Sequence, residues 1–136
     1  MQLKMSSKHF RRLLDLVYIG NWILNSTRGN DRIVVYDDVE SLVFSYCEKA
    51  DMPTLFERSE EGALVPSRAF AEGGIHEAIM DYEDTIFFDI LAEELARRDM
   101  QEEALDEGNL EELDERITAY IAEFERNGTD NIIINM

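Results

Sequence analysis

Residues 7–25, SKHFRRLLDLVYIGNWILN, decide the predicted fold of this 136-residue chain. At about 100° per residue, one side of this segment is apolar, as is typical of an amphipathic α-helix. The residues of this stripe are Phe10, Leu13, Leu14, Val17 and Leu24. From Leu16 onward the other sides turn apolar too, and a helix that is apolar all round is buried on several sides. We therefore predict that the second half of this helix lies at the centre of the domain.

Two residues of the first helix are candidates for interaction or structural roles. Asn21 lies on the apolar stripe between Val17 and Leu24. A buried amide there must find hydrogen-bond partners, and it then fixes the register of a helix or binds the backbone of a loop. Trp22 lies on a different side, where it is either a core residue or the anchor of an interface.

The rest of the sequence predicts a mainly α protein, with residues 1–136 forming a single compact domain of four to five helices. The further helices are predicted from the Asp37-Asp38 pair to about Ala50, from Ile75 to Arg98, from Asp99 to about Glu107 and from Leu110 to Arg126. Asn109 and Glu112 form a capping box at the start of the last one. The second helix has an apolar stripe that we expect to face the core. This stripe consists of Val39, Leu42, Val43, Tyr46 and Ala50.

The segment between the second and third helices is rich in residues that interrupt regular structure. Residues 51–74 hold both prolines and three glycines, so we predict a long irregular loop with one helical turn near residues 54–58. The two β-branched runs of the chain lie elsewhere, at residues 33–35 and 132–134. We predict a minor two-stranded β contact between them, although the first run is equally compatible with the beginning of a helix.

Charge is distributed unevenly along the chain. Residues 1–36 carry six Lys/Arg and two Asp/Glu, whereas residues 72–126 carry nineteen Asp/Glu and four Arg, and the net charge of the whole chain is −17. A hydrophobic content of 45% with 10% aromatic residues is too high for a disordered acidic tail. We therefore expect a folded acidic protein, whose charge bears on its choice of partner and not on its fold.

The sequence contains no feature that indicates export or membrane insertion. Its single cysteine, Cys47, excludes an intrachain disulfide and suits a reducing compartment. The longest apolar run, residues 16–24, is interrupted by Gly20 and Asn21 and is too short to span a bilayer. We expect a cytoplasmic protein that does not associate with membranes.

No catalytic motif accompanies the acidic charge. The chain lacks a P-loop, a Gly-x-Gly-x-x-Gly run and a Gly-x-Ser-x-Gly turn, so we assign no catalytic residue and no cofactor. Glu77, Asp81 and Asp84 share one face of the third helix at spacings a hard cation can use. The spacing of a calcium loop and a Glu-x-x-His pair are both missing, so we assign no metal site and interpret these acids as a solvated face.

Glu83 is the acid that the helical pattern explains least. It falls inside the apolar stripe of the third helix, one turn from both Ile79 and Phe87, and Glu94 lies only about 20° further round. We expect an ion pair or a hydrogen bond to lock Glu83 to another helix. The alternatives are an active-site acid with a raised pKa or a boundary residue that reaches water.

These observations predict a non-enzymatic, acidic, helical protein-interaction module. Its partner is a protein with a basic patch or a second copy of this chain, and direct binding of nucleic acid is not expected, because the basic segment is small beside the acidic field. One alternative is an inhibitor that imitates nucleic acid with the carboxylates of its third and last helices. The other is a carboxylate-based metal-binding protein or enzyme that uses Glu83, Asp84 or Glu94.

Overall fold

The computed structural model describes residues 1–101 and 106–136, and these residues are mainly α-helical. The elements in chain order are α1 (Ser7–Asn25), α2 (Val34–Phe44), β1 (Phe56–Arg58), β2 (Leu64–Pro66), α3 (Arg68–Ala71), α4 (Gly74–Asp99) and α5 (Glu107–Asn127). A 3₁₀ turn, Ser45–Cys47, continues α2. The predicted mainly α fold of four to five helices is confirmed.

The chain divides into two compact units within α4. The N-terminal unit is Met1–Ile79 and the C-terminal unit is Met80–Met136. Each unit buries its own set of apolar side chains. The expectation that residues 1–136 form one domain stays a prediction.

The core of the N-terminal unit is built around Phe70 of α3. Leu14, Phe44 and Cys47 are fully buried beside it. The rings of Tyr18 and Phe44 meet the Phe70 ring edge to face, with centroid distances of 5.4 Å and 5.2 Å. Edge-to-face pairs of this kind contribute stability beyond the area they bury. The short α3 therefore holds α1 and α2 together through one aromatic side chain.

Residues 51–74 are more regular than the sequence predicts. β1 and β2 pair antiparallel, with Phe56 opposite Pro66, and Gly62 at φ 87° sits in the connection between them. The helical turn expected near residues 54–58 is wrong, because Phe56 packs against the core from a strand. Ser67 then joins the hairpin to α3: its hydroxyl donates to the carbonyl of Thr54 at 2.6 Å and accepts from the backbone N–H of Phe70.

The predicted β contact between residues 33–35 and 132–134 is wrong. Residues 132–134 form no strand, and α2 begins at Val34. The Asn25 side chain binds both backbone groups of Ile33, accepting from its N–H at 2.8 Å and donating to its carbonyl at 3.1 Å. These groups are no longer free for a strand ladder, so the chain turns into a helix at this point.

The expectation that the second half of α1 is buried on several sides is also wrong. Leu16 and Ile23 are 68% and 55% exposed. Only the side of α1 that carries Leu14, Asn21 and Asn25 is buried. The periodicity of a sequence identifies the apolar sides of a helix. The number of those sides that are buried depends on how many other elements pack against the helix.

Three of the five residues in the predicted core stripe of α2 lie on the surface, whereas Val43 packs against the core. Val39, Leu42 and Tyr46 are about half exposed, and the side of this segment turned inward carries the buried residues Phe44 and Cys47. Half-buried Asp37 and Glu40 share that inward side. At about 100° per residue, α2 is therefore rotated by about a third of a turn from the orientation that its apolar stripe predicts. Hydrogen bonds between α1 and α2 favour this orientation.

The C-terminal unit consists of two helices that pack side by side. Phe88 of α4 meets Phe124 of α5 at a centroid distance of 5.3 Å, and Asp99 meets Tyr120, so the two helices run antiparallel. Ala96, Met100 and Leu113 form the buried cluster between them. Ala92 and Ala96 are fully buried, and these small side chains allow a close approach of the helix axes.

At residues 99–101 and 106–107 the chain differs from the short helix that the sequence predicts over residues 99–107. Asp99 is the last residue of α4, and α5 begins at Glu107, earlier than the predicted Leu110. The Asp106 side chain caps α5 by accepting from the backbone N–H of Asn109 at 2.9 Å. Residues 102–105 of the predicted helix lie outside the described residues.

Candidate interaction surfaces

A cluster of amides and carboxylates lies between α1 and α2, and we call Asn21, Asn25, Arg32, Asp37 and Glu40 the amide–carboxylate cluster. Asn25 donates to the Asn21 side-chain oxygen at 2.7 Å, and Asn21 donates to Asp37 at 2.9 Å. Arg32 forms a fork on Asp37, with N–O distances of 2.6 Å and 2.8 Å. This network allows the side of α2 that carries Asp37 and Glu40 to face inward, because burial costs little when every buried amide has a partner.

Electrostatics differ between the two carboxyl groups of this cluster. The Arg32 fork, assisted by Asn21, lowers the pKa of Asp37. Burial raises the pKa of Glu40, and the nearby Asp37 charge adds to this effect. Burial also raises the pKa of the Tyr18 hydroxyl, with a smaller contribution from Glu40. The cluster therefore contains one stabilised carboxylate and one carboxyl group whose ionisation is disfavoured.

The amide–carboxylate cluster has a structural role. The hydrogen bonds of Asn21 join its members to one another, and those of Asn25 also hold Ile33 at the start of α2. The predicted burial of Asn21 is observed, but its neighbour Asn25 is the residue that binds loop backbone. The sequence signal that could have identified Asn25 as well as Asn21 is the presence of two asparagines four residues apart on one side of a helix.

Trp22 and Cys47 offer no free anchor or reactive group. Trp22 is half-buried, and its ring packs edge to face on His76 at a centroid distance of 6.0 Å, which favours its interpretation as a core residue. Cys47 is fully buried, and burial raises the pKa of its thiol. Since the thiolate is the reactive form, this cysteine is a packing residue.

The acids of α4 do not converge on a cation site. Glu77, Asp81 and Asp84 are all exposed. Among residues 1–101 and 106–136, no group of three or more His, Cys, Asp or Glu side chains is placed to hold a metal ion. The three carboxylates are therefore surface groups that face water, although they are regularly spaced along the helix.

Glu83 and Glu94 are exposed, so the expected lock between Glu83 and another helix is wrong. Phe87 and Ile90, which the sequence places in the buried stripe, are 51% and 54% exposed. α5 packs against the nearly opposite side of α4, where Ala92 lies. Glu83 interrupts the apolar pattern because this part of the pattern is on the surface.

A second acidic surface lies on α5, and we call Glu107, Glu111, Asp114 and Glu115 the α5 acidic face. Their spacing directs the four side chains away from the side that packs on α4. All four are exposed, and three of them line an open depression with Thr118. Within the described part of the chain none of the four is in an ion pair, and the nearby Arg116 pairs with Glu112 instead.

The two units differ strongly in charge. The N-terminal unit carries nine Lys/Arg against twelve Asp/Glu, a net of −3, whereas the C-terminal unit carries four against eighteen, a net of −14. The basic side chains of α1 are also engaged locally: Arg11 and Arg12 both pair with Asp15, at 2.8 Å and 3.3 Å. A basic patch that would attract the acidic unit of a second copy is therefore weak.

Comparisons with known proteins give no further guide. No protein-family model, no curated protein and no solved structure matches this chain. Among the described residues, no helix has the length and apolar character needed to cross a membrane.

Proposed function

We propose that this protein is a non-enzymatic interaction module that binds a basic surface of a partner protein through its α5 acidic face. The observation that carries this proposal is the placement of Glu107, Glu111, Asp114 and Glu115. Four exposed carboxylates share one side of a helix, and none of them is neutralised by an ion pair within the described residues. Such a surface attracts cationic partners and repels acidic ones.

The α5 acidic face is a better candidate than the acids of α4. Asp81, Asp89 and Glu94 are spread around the α4 axis at about 100° per residue, so no flat partner can contact them together. They still add to the negative field of the C-terminal unit. That field accelerates encounter with a basic partner, and the effect falls as salt is added, because the Debye length is about 8 Å at physiological ionic strength.

An inhibitor that imitates nucleic acid is a second candidate. It is favoured by the same observation, since a mimic needs acids that share one exposed surface. In that case the basic surface of the partner is a groove that otherwise binds phosphates. Metal binding is not proposed, because the described acids of α4 do not converge. We also propose a cytoplasmic location, on the ground of the single, buried cysteine thiol.

The test measures binding of a fluorescent ten-residue oligoarginine peptide by anisotropy at low and at physiological salt. The variant E111Q/D114N/E115Q removes three charges from the α5 acidic face. The control E57Q/E60Q/E61Q removes three exposed acids from the hairpin of the N-terminal unit, so that both variants have the same net charge.

We expect the α5 variant to bind the peptide about tenfold more weakly, since three exposed ion pairs at about 0.5 kcal/mol each amount to about one decade in Kd. The control should change the Kd by less than about twofold, because it leaves all four carboxylates of the α5 acidic face in place. Equal weakening in both variants would show that net charge, and not the α5 face, sets the affinity. A competition experiment then separates the two candidates. If duplex DNA displaces this protein from a natural partner, the mimic is favoured; if it does not, the protein is a general binder of basic proteins.

A further inference from the structure

The side of α4 that faces away from α5 combines two apolar side chains with two carboxylates. We call Glu83, Phe87, Ile90 and Glu94 the α4 outer face. They are spaced by four, three and four residues, which places them in one line along the helix. Phe87 and Ile90 are about half exposed, and the two glutamates at the ends are exposed.

This surface is left unused by the C-terminal unit itself. The core of the unit uses Ala96, Met100 and Leu113, and Ala92 is buried on the same side of α4. Single exposed apolar residues need no explanation, since they are common on protein surfaces. An exposed aromatic–aliphatic pair with an unpaired acid one turn beyond each end is a more specific arrangement, because it offers both contact area and charge at set positions.

Arg97, a basic residue on the same helix, does not neutralise this surface. Arg97 lies one turn beyond Glu94 but forms a fork on Glu93, with N–O distances of 3.0 Å and 2.8 Å. Within the described residues neither Glu83 nor Glu94 is in an ion pair. Both carboxylates therefore remain available to a cationic partner.

We infer that the α4 outer face docks a basic amphipathic helix of the partner protein. Two apolar side chains of that helix contact Phe87 and Ile90, and a Lys or Arg near each end pairs with Glu83 or Glu94. The two glutamates are eleven residues apart, which is about 16 Å along the axis at the usual rise per residue. The partner helix must therefore present basic residues about three turns apart on the side that holds its apolar pair.

Charge complementarity selects this occupant over a second copy of the chain. An antiparallel copy would bring Glu83 of one molecule against Glu94 of the other, and a parallel copy would bring each glutamate against itself. Like charges across an interface oppose binding, and each C-terminal unit carries a net charge of −14. An anionic lipid surface is disfavoured for the same reason.

This inference rests on the proposed function for the basic character of the partner, and it adds the shape of the ligand. The test uses two synthetic helical peptides of equal charge. Each has lysines eleven residues apart on one side. One peptide has two leucines between them on the same side, and in the other the leucines are replaced by glutamine.

Two protein variants are compared with the wild type by fluorescence anisotropy. F87S/I90S removes the apolar pair of the α4 outer face. The control Y82S/L110S removes two apolar residues of similar exposure that lie elsewhere in the C-terminal unit. Far-UV circular dichroism checks that both remain helical, as expected for exposed positions.

We expect the wild type and the control to bind the leucine peptide about tenfold more tightly than the glutamine peptide, and F87S/I90S to bind both equally. A third variant, E83Q/E94Q, should weaken both peptides by about fivefold. If F87S/I90S keeps the preference for leucine, or if the wild type shows none, the docking inference is wrong while the proposed function stands. If neither peptide binds the wild type, the docking inference is wrong, and binding of the oligoarginine peptide to the α5 acidic face then decides the proposed function separately.

Discussion

Replacement of Asn25 by alanine is the sharpest test of how the N-terminal unit is held together. Asn25 is 1% exposed, and its side chain makes three hydrogen bonds. It donates to Asn21 at 2.7 Å and to the carbonyl of Ile33 at 3.1 Å, and it accepts from the Ile33 N–H at 2.8 Å. N25A removes all three and takes their partner from the Ile33 N–H and the Asn21 side-chain oxygen, whereas the Ile33 carbonyl still accepts from the Tyr36 N–H at 3.2 Å.

The expected loss follows from the number of bonds. Each hydrogen bond contributes about 1 kcal/mol net, and a buried polar group left without a partner costs about 1–3 kcal/mol. Because Ile33 is only half-buried, water can reach its backbone in part, and we expect a loss of about 2–3 kcal/mol. At about 0.05–0.15 kcal/mol per residue, a unit of this size has a free energy of unfolding of about 4–12 kcal/mol, so the loss is a large fraction.

The assay is urea unfolding followed by the fluorescence of Trp22, the single tryptophan, which lies in the same helix one turn before Asn25. With an m-value of about 1 kcal/mol/M, the midpoint should fall by about 2–3 M urea. The control N30A changes an exposed loop asparagine and should shift the free energy of unfolding by less than about 0.5 kcal/mol. A loss for N25A no larger than that of N30A would refute the structural role given to the amide–carboxylate cluster.

The remaining predictions concern α2. Burial raises the pKa of Glu40 above its ordinary 4.5, so its ionisation opposes folding at neutral pH; E40Q should raise the urea midpoint at pH 7 and have no effect well below pH 4.5. The pKa of Asp37 is lowered, so D37N should lower the urea midpoint at pH 7, and its effect should fade as the pH falls below 3.8. If E40Q and D37N shifted the midpoint in the same direction at pH 7, these pKa directions would be contradicted. L42K should change the free energy of unfolding by less than about 0.5 kcal/mol, because Leu42 is 60% exposed. F44A should lower the free energy of unfolding by about 3–5 kcal/mol, because Phe44 is fully buried. Both variants are measured by unfolding followed through Trp22 fluorescence, and equal losses for L42K and F44A would place Leu42 in the core.

The positions of α1 and α4 were predictable from the sequence, whereas helix orientation was not, and α2 begins before the predicted Asp37-Asp38 cap and ends at Phe44. α1 spans the predicted residues 7–25, and α4 differs from its prediction by a single residue at each end. Capping residues and a local period of apolar side chains determine such bounds. The hairpin over residues 56–66 was missed, since its strands have three residues each and gain their stability from the core against which Phe56 packs.

The candidate surfaces show the same division. The acids of α5 lie outside the apolar stripe of the helix in the sequence, and the structure leaves them on its surface. Glu83 was expected to be buried, because the sequence counts Phe87 as a core residue. Only the packing of α5 on the Ala92 side of α4 shows that Phe87 and Glu83 lie together on the surface.

By itself the sequence determined that this protein is acidic, mainly α-helical and free of recognisable catalytic motifs, because composition, capping and periodicity are local properties of the chain. Tertiary structure decided which side of each helix is buried. In α2, Val39 and Leu42 were good candidates for the core, yet the side that carries Asp37 and Phe44 is turned inward. Asn21 donates a hydrogen bond to Asp37 on that side, and Asn25 holds the backbone of Ile33 just before the helix. A stripe specifies what a helix is able to bury, whereas the partners available across the interface determine what it does bury.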